Sequence, residues 1–299
     1  MKFNLITILG PTATGKTKLA VQLADCFNGE IISADSRQVY RGMNIGTGKD
    51  LSEYFIDGRQ IPYHLIDIID PTEEFNLFSF QQGFYKSFDE IKSKNKLPFL
   101  VGGTGMYLSS VLQKYTLGKA DFEKEKQILS SYSDDELRDI LKDLNPTLHN
   151  TTDLNDRERI IKAIAVSKTE QEKTEAQNIE SLVIGVNLSR DEIKKRITAR
   201  LKKRLDEEGM IDEVKTLMDS GVSYDKMIFF GLEYKFIAKY LTGELNKNDM
   251  FQKLNSAIHS FAKRQMTWFR KMEREGVVIN WIDGPYFNKA NELIERQMQ

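Results

Sequence analysis

From residue 3 to about 115, short apolar runs alternate with stretches whose apolar residues recur at helical spacing. Leu5 to Leu9, Glu30 to Ser33 and Leu97 to Val101 predict strands, and Lys16 to about Phe27 predicts a helix between the first two. Such alternation implies βαβ units and a parallel sheet. Ligands of such sheets sit beyond the carboxyl ends of the strands. Three unusual segments fall at those ends: Gly10 to Thr17 after Leu9, Asp35 after Ile32, and Gly102-Gly103-Thr104 after Val101. The three strand ends are expected to converge on one crevice.

Residues 119–180 change character, being rich in Lys, Glu, Asp and Ser, with helical periodicity in Glu136 to Leu141 and Arg159 to Ile164. This reads as a helical insertion that ends in the polar stretch Lys168 to Asn178. Ser181 to Leu188 predicts a strand returning to the core. Helices dominate from Asp191 to about Gly276, with breaks near Gly221 to Tyr224 and at Thr242-Gly243, and Val277 to Ile282 predicts a last strand at the sheet edge. The expected architecture is α/β: a P-loop NTPase-like parallel sheet flanked by helices, made by 1–118 and 181–299, with the insertion at 119–180. Thr169 to Asn178 and the last few residues are expected to be disordered.

Gly10-Pro11-Thr12-Ala13-Thr14-Gly15-Lys16-Thr17 fits the phosphate-cradling spelling G-x-x-x-x-G-K-[ST], with a strand before it and a helix after it. The glycines let successive N–H groups turn toward an anion, and the helix start adds its positive dipole end. Lys16 supplies a charge for the outer phosphate, and the Thr17 hydroxyl can bind Mg²⁺. Phosphate binding alone does not name a reaction.

Composition narrows the choice only a little. The chain has 299 residues and a formal charge of −1, so bulk electrostatics neither demand nor exclude a nucleic-acid partner. A single cysteine, Cys26, rules out a disulfide within the chain and reads as a small buried hydrophobe. His64, His149 and His259 lie far apart and lack neighbours at metal-ligand spacing, which argues against zinc. The apolar run after Met1-Lys2-Phe3 is too short for a secretion signal, and no stretch approaches the ~20 apolar residues of a membrane span. A cytoplasmic, monomeric protein is expected.

Asp35 lies just past a strand, where its carboxylate can face the phosphate loop and bind metal or accept a proton, or where the turn can cap a helix. The strand ending at Val101 is followed by Gly-Gly-Thr and carries no acid of the kind that holds Mg²⁺ in ordinary P-loop enzymes. Its backbone can instead approach a ligand closely, and Thr104 offers a hydroxyl. Two basic stretches lie further along. Asp191 to Arg204 has seven cations and no acid after Glu192, with Ile193, Ile197 and Leu201 as its apolar stripe; Phe261 to Lys271 interleaves aromatics with cations. Both suit a phosphate backbone or a pyrophosphate.

Five segments in order, GPTATGKT at 10–17, ISADSRQVYRGMNIGTGKD at 32–50, HLIDIIDP at 64–71, VGGTGMY at 101–107 and AKRQMTWFR at 262–270, resemble the tRNA dimethylallyltransferases (isopentenyltransferases). The resemblance spans nearly the whole chain. It implies transfer of a dimethylallyl group from dimethylallyl diphosphate to N6 of adenosine 37, beside the anticodon, in tRNAs reading codons that begin with U. The phosphate loop would then hold a leaving diphosphate, which suits the missing acid. Asp35 would accept the amine proton, and Thr104 would act near the reacting centre. Lys16, Mg²⁺ on Thr17 and a guanidinium such as Arg196 or Arg200 would stabilise the diphosphate. Ser36, Arg37 and Gln38 match a segment that contacts tRNA, where Gln38 can pair with a base edge. Arg159, Ile160, Ile161, Lys162 and Ala163 match another, and Lys126, Lys263, Arg264 and Gln265 join the tRNA-facing set.

The chain departs from the family pattern in places. Lys162-Ala163-Ile164-Ala165 stands where R-A-L-E is common. An arginine usual in the family beyond the GGT threonine has no counterpart, only Lys124 and Lys126 being near, and Arg200 to Gly209 is one residue longer than the common spacing. Three other readings compete. A small-molecule kinase would need a lid richer in arginine, an adenylate isopentenyltransferase would leave the basic helices nothing to hold, and a non-catalytic RNA binder would have no need of Asp35 and Thr104.

Overall fold

The computed structural model describes residues 2–118, 120–144, 156–169 and 178–298. The chain forms two compact units, Met1–Gln113 with Asn178–Gln299, and Lys114–Gln177. The larger unit begins with β1 (Leu5–Leu9), α1 (Lys16–Cys26) and β2 (Gly29–Ala34). Next come a small hairpin of β3 (Phe55–Ile56) and β4 (Arg59–Gln60), then β5 (Tyr63–His64), α2 (Leu77–Ser93), β6 (Leu97–Gly102) and α3 (Gly105–Leu112). The smaller unit holds α4 (Phe122–Ile128), α5 (Asp134–Leu144) and α6 (Arg157–Lys168). The chain re-enters the larger unit as β7 (Ser181–Asn187), α7 (Arg190–Asp206), α8 (Met210–Asp219), α9 (Tyr224–Phe230), α10 (Leu232–Leu241), α11 (Lys247–Arg274), β8 (Ile279–Asp283) and α12 (Phe287–Met298).

The main sheet has the order β5-β2-β6-β1-β7-β8 with parallel pairings throughout. This is the P-loop NTPase-like arrangement that the βαβ alternation predicts. Every residue of β1 is buried, as expected for a central parallel strand covered on both faces. Ile6 and Ile8 pack with Leu19 and Leu23 of α1 and Ile294 of α12. Leu5 and Leu9, on the opposite face, pack with Phe80 and Phe84 of α2 and Phe269 of α11. The register sets Gly102 beside both Leu9 and Ala34. The carboxyl ends of β1, β2 and β6 are therefore level, and the loops that leave them open onto the same space.

Helices α7 to α11 bury a third cluster around Val39 and Tyr40. Along α11 the stripe Met250, Leu254, Ile258, Ala262 belongs to that cluster, and Phe269 and Met272 belong to the sheet face. Between them sits Gln265, a buried amide in an otherwise apolar stripe. The smaller unit closes its own core with Leu129, Leu137, Leu141, Ile160, Ile161 and Ile164.

Several expectations need correction. The helical region breaks where expected, but also at Glu207 to Gly209 and at Gly231; Gly209 and Gly231 adopt φ of 79° and 75°, which ends a regular helix. The closing residues are not disordered: α12 runs to Met298 because Ala290 and Ile294 bury against the sheet. Cys26 is exposed rather than buried, because it continues the outward face of α1 that carries Gln22. His149 and residues 170–177 of the polar stretch lie outside the described residues.

Candidate functional site

Beyond β1, the chain turns through Ala13 at φ 66° and Gly15 at φ 83°, while Thr14 Oγ1 donates to Pro11 O at 2.9 Å to close the loop. Glycine suits position 15 because its backbone lies in the left-handed region and a Cβ there would stand 3.1 Å from Pro285 Cγ. Helix α1 starts with no side-chain cap and no acid in its first turn. Its first N–H groups and positive dipole end are thus left for an anion. Lys16 and Thr17 line a cavity of about 530 Å³ in the larger unit, together with Asp35 and Thr104.

Cations crowd this end of the cavity. Burial lowers the Lys16 ammonium to about 8 despite the opposing pull of Asp35. Arg200 Nη2 donates to Thr12 Oγ1 at 2.6 Å, and burial, aided by Arg204, brings its guanidinium to about 10. Arg204 is itself buried and pairs with Asp50 at 2.9 Å. Desolvated cations beside a helix N-terminus are stabilised by a bound polyanion, which replaces the lost water.

Asp35, whose charge acts on Lys16, accepts the Arg37 N–H through Oδ1 at 2.9 Å in a tight turn, and no helix begins there to be capped. Thr104 Oγ1 accepts the Ser36 N–H at 3.2 Å and makes no capping bond to α3, so its own proton is available to donate. Ser36, Arg37 and Gln38 all line the cavity. The two longer side chains are committed to the protein itself. Arg37 donates to the carbonyls of Phe229 and Phe230, each at 3.0 Å, and Gln38 bonds Ser33 at 3.0 Å and Gly48 O at 3.1 Å. Gln38 therefore anchors the 46–48 loop rather than presenting its amide to a base edge.

Helix α11 supplies the roof of this arrangement. Gln265 accepts the Thr12 N–H at 2.8 Å and donates to Gly103 O at 2.9 Å, so it links the phosphate loop to the Gly-Gly-Thr turn. Gly103 leaves room for that amide: a Cβ there would stand 2.3 Å from Gln265 Nε2. Trp268 Nε1 donates to Ser109 Oγ at 2.9 Å and fixes the next turn of the helix over α3. Arg264 lines the cavity, and Lys263 is exposed beside it.

Other sequence candidates are placed elsewhere. Arg196 is exposed one turn before Arg200, bonded to Glu192 at 2.7 Å, and is not among the cavity residues. In the smaller unit, Arg159 and Lys162 are exposed on α6, Ala163 is half-buried, and Lys126 is exposed on α4 with Glu158 3.7 Å away. Ile160 and Ile161 are buried in that unit's own core, where a side chain cannot touch RNA. Among the described residues, no group of three or more His, Cys, Asp or Glu could hold a metal ion.

Comparison with known proteins shows the family of this chain. Residues 38–272 match the family IPP transferase, and residues 3–66 match isopentenyl transferase. The chain belongs to the IPP transferase family. It is 54% identical to tRNA dimethylallyltransferase 1 of Geotalea uraniireducens, covering 98% of each chain, and 49% identical to tRNA dimethylallyltransferase 1 of Syntrophus aciditrophicus over the whole of both. The crystal structure of the full-length tRNA isopentenylpyrophosphate transferase from Bacillus halodurans superposes with a TM-score of 0.69 at 35% identity, covering 99% of this chain and 94% of that one.

In this IPP transferase the sequence reading missed part of the cavity wall. Arg204 was visible as a cation in the first basic stretch, but not as the one facing inward. Gly46 and Gly48 were in a matched segment without a role. Glu213 holds that loop by accepting the N–H groups of Asn44, Ile45 and Gly46 at 2.9, 2.7 and 3.0 Å, and Tyr234 also donates to it at 2.8 Å. Glu233 lies buried in the cavity wall, its carboxyl pushed up by burial. Nothing local in the sequence marks it.

Proposed function

We propose that this IPP transferase moves the dimethylallyl group of dimethylallyl diphosphate onto N6 of adenosine 37 in the anticodon stem-loop of tRNAs reading codons that begin with U, giving N6-(dimethylallyl)adenosine. One observation carries the reading: residues of the phosphate loop, Asp35 and Thr104 line one cavity, which supports an anion site beside a proton acceptor. We further propose that it works as a cytoplasmic monomer; among the described residues no helix is long and apolar enough to cross a membrane.

The chemistry divides among several residues. An exocyclic adenine amine is a weak nucleophile because its lone pair is delocalised into the ring. Asp35 accepts an N–H bond and takes the proton as the N6–C1 bond forms and the C1–O bond breaks. The electron pair of that breaking bond leaves on diphosphate. Loop N–H groups, Lys16 and Arg200 receive the developing charge. The Thr104 hydroxyl, whose oxygen already accepts from Ser36, donates to the bridging oxygen. Helix α11 covers the Gly-Gly-Thr turn and keeps water from the allylic carbon.

Mg²⁺ fits this site in one way. The half-buried Thr17 hydroxyl at the start of α1 lines the cavity beside Lys16 and would hold the ion together with oxygens of the diphosphate. Bound there, the ion would supply charge neutralisation to the leaving group.

The test is incubation with dimethylallyl diphosphate, Mg²⁺ and unmodified tRNA, followed by nucleoside mass analysis. A five-carbon adduct on adenosine 37 is expected. ATP turnover without prenyl transfer, or prenylation of AMP in preference to tRNA, would overturn the reading.

A further inference from the structure

We propose that Phe229 is a stacking shelf for the unpaired nucleobase that neighbours the target adenosine, an inference that rests on RNA being the acceptor as argued above. At the end of α9 two phenylalanines diverge. Phe230 is buried at 4% exposure, lines the cavity and packs on the Tyr40 ring at 4.9 Å. Phe229 is 55% exposed, directly beside it. Leaving a large aromatic open to water forfeits the burial that usually justifies one. Its position is nevertheless tightly held.

Three features hold it. Arg37 donates to the carbonyls of both phenylalanines, and its guanidinium carbon lies 4.9 Å from the Phe229 ring centroid. Lys226 places its ammonium 5.3 Å from the same ring while donating to Glu73 O at 2.8 Å. The helix then stops abruptly, with Gly231 at φ 75° and Leu232 at φ 38°, a left-handed value that a branched side chain adopts only when its surroundings impose it. The backbone is thus fixed at the cavity wall, where Phe230 to Leu232 line the cavity, while the neighbouring Phe229 ring stays open to solvent.

The chemistry of the acceptor supplies an occupant. An adenosine extruded from a loop leaves its neighbour without a stacking partner, and proteins that read single-stranded RNA replace that partner with an aromatic face. Such a face accepts any base, because every base has a π-surface, and nearby cations suit the adjoining phosphates. Arg37 also joins the two places. It stands two residues after Asp35, donates its backbone N–H to that carboxylate, and carries its guanidinium to the Phe229 ring. The ring therefore serves the base next to the target adenosine, and the target itself goes to Asp35.

The experiment uses full-length protein, an anticodon stem-loop RNA and dimethylallyl diphosphate. In Phe229→Ala the KM for RNA is expected to rise about tenfold, as for the loss of one stacked base. The KM for the donor and kcat stay unchanged, and Phe229→Trp restores RNA affinity. With 2-aminopurine placed in turn on the 5′ and 3′ side of the target, one position is quenched on binding to the wild type and not to Phe229→Ala. An unchanged KM for RNA, or a parallel rise in the KM for the donor, would overturn the proposal, as would equal quenching in both proteins. If the wild type itself fails to prenylate the RNA, it is the acceptor assignment that falls.

Discussion

The side-chain oxygen of Gln265 accepts the backbone N–H of Thr12 at 2.8 Å, joining positions 253 residues apart. The same amide holds Gly103 O, so one buried side chain sets the distance between the anion-binding loop and the turn that carries Thr104. Gln265→Ala leaves a buried carbonyl unpaired, at about 1–3 kcal/mol before relaxation, and a half-buried N–H unpaired at a smaller cost. Thermal unfolding should show lower stability, and kcat/KM for the donor should fall by at least about tenfold. Gly103→Ala drives a methyl into the same amide. Adding Gln265→Ala to it should recover part of the lost stability, whereas strictly additive losses in the double-mutant cycle would show that the two sites are independent.

Asp35→Asn keeps the shape of the turn and removes the proton acceptor. The expected result is a fall in kcat of about 10²–10⁴ with RNA binding, read by mobility shift, largely preserved. Single-turnover rates equal to wild type would exclude Asp35 as the base.

The Lys16 ammonium, lowered to about 8 by burial, predicts an alkaline limb. A lowered pKa means that the neutral form gains population above about pH 8, where a diphosphate loses its counter-charge. kcat/KM for the donor should therefore decline as pH rises through that value. Bound diphosphate favours the charged form, so the limb in kcat should lie higher. Lys16→Arg should shift the limb upward because a guanidinium stays protonated, even where its different geometry reduces the rate. A limb that does not move in this variant would assign the titration to another group.

At the opposite end of the sheet, Glu30 is a buried carboxylate contacted by Lys96 and His64, both at 2.8 Å, and by Lys94 at 3.4 Å. Burial opposes its ionisation, but the bonds from Lys96 and His64 win and hold it down to about 2. A depressed carboxylate contributes stability that is present above its unfolded value and is lost as pH falls through the folded value. Glu30→Gln should be less stable at neutral pH by about 2 kcal/mol, less than a fully buried pair because the two lysines are partly exposed. The difference from wild type should shrink between pH 4.5 and about 2, and chemical denaturation across that range measures it.

How far the sequence reaches depends on whether the deciding interaction is local. The strand before the loop, the spelling Gly10 to Thr17, Asp35 after Ile32 and Thr104 after Gly102-Gly103 could all be read, because strand burial and tight turns are written in neighbouring residues. Their convergence followed from the rule that parallel strands present their carboxyl ends on one side, and the register of Leu9, Gly102 and Ala34 realises it.

Tertiary packing decided the rest. Arg196 and Arg200 share a helix face, yet only Arg200 meets the loop, because where α7 docks along its axis depends on partners distant in sequence. Ile160 and Ile161 sit in a segment matched for RNA contact but were claimed by the core of their own unit. Gln265 looks in sequence like one polar residue in a basic stretch, and becomes a link only when α11 lies across the sheet ends. By itself the sequence determined the longer strands, the spelling of the loop and the candidate groups at the strand ends; the two-residue strands β3, β4 and β5, side-chain direction and long-range pairing came from the folded chain, since none of them is fixed until distant elements pack.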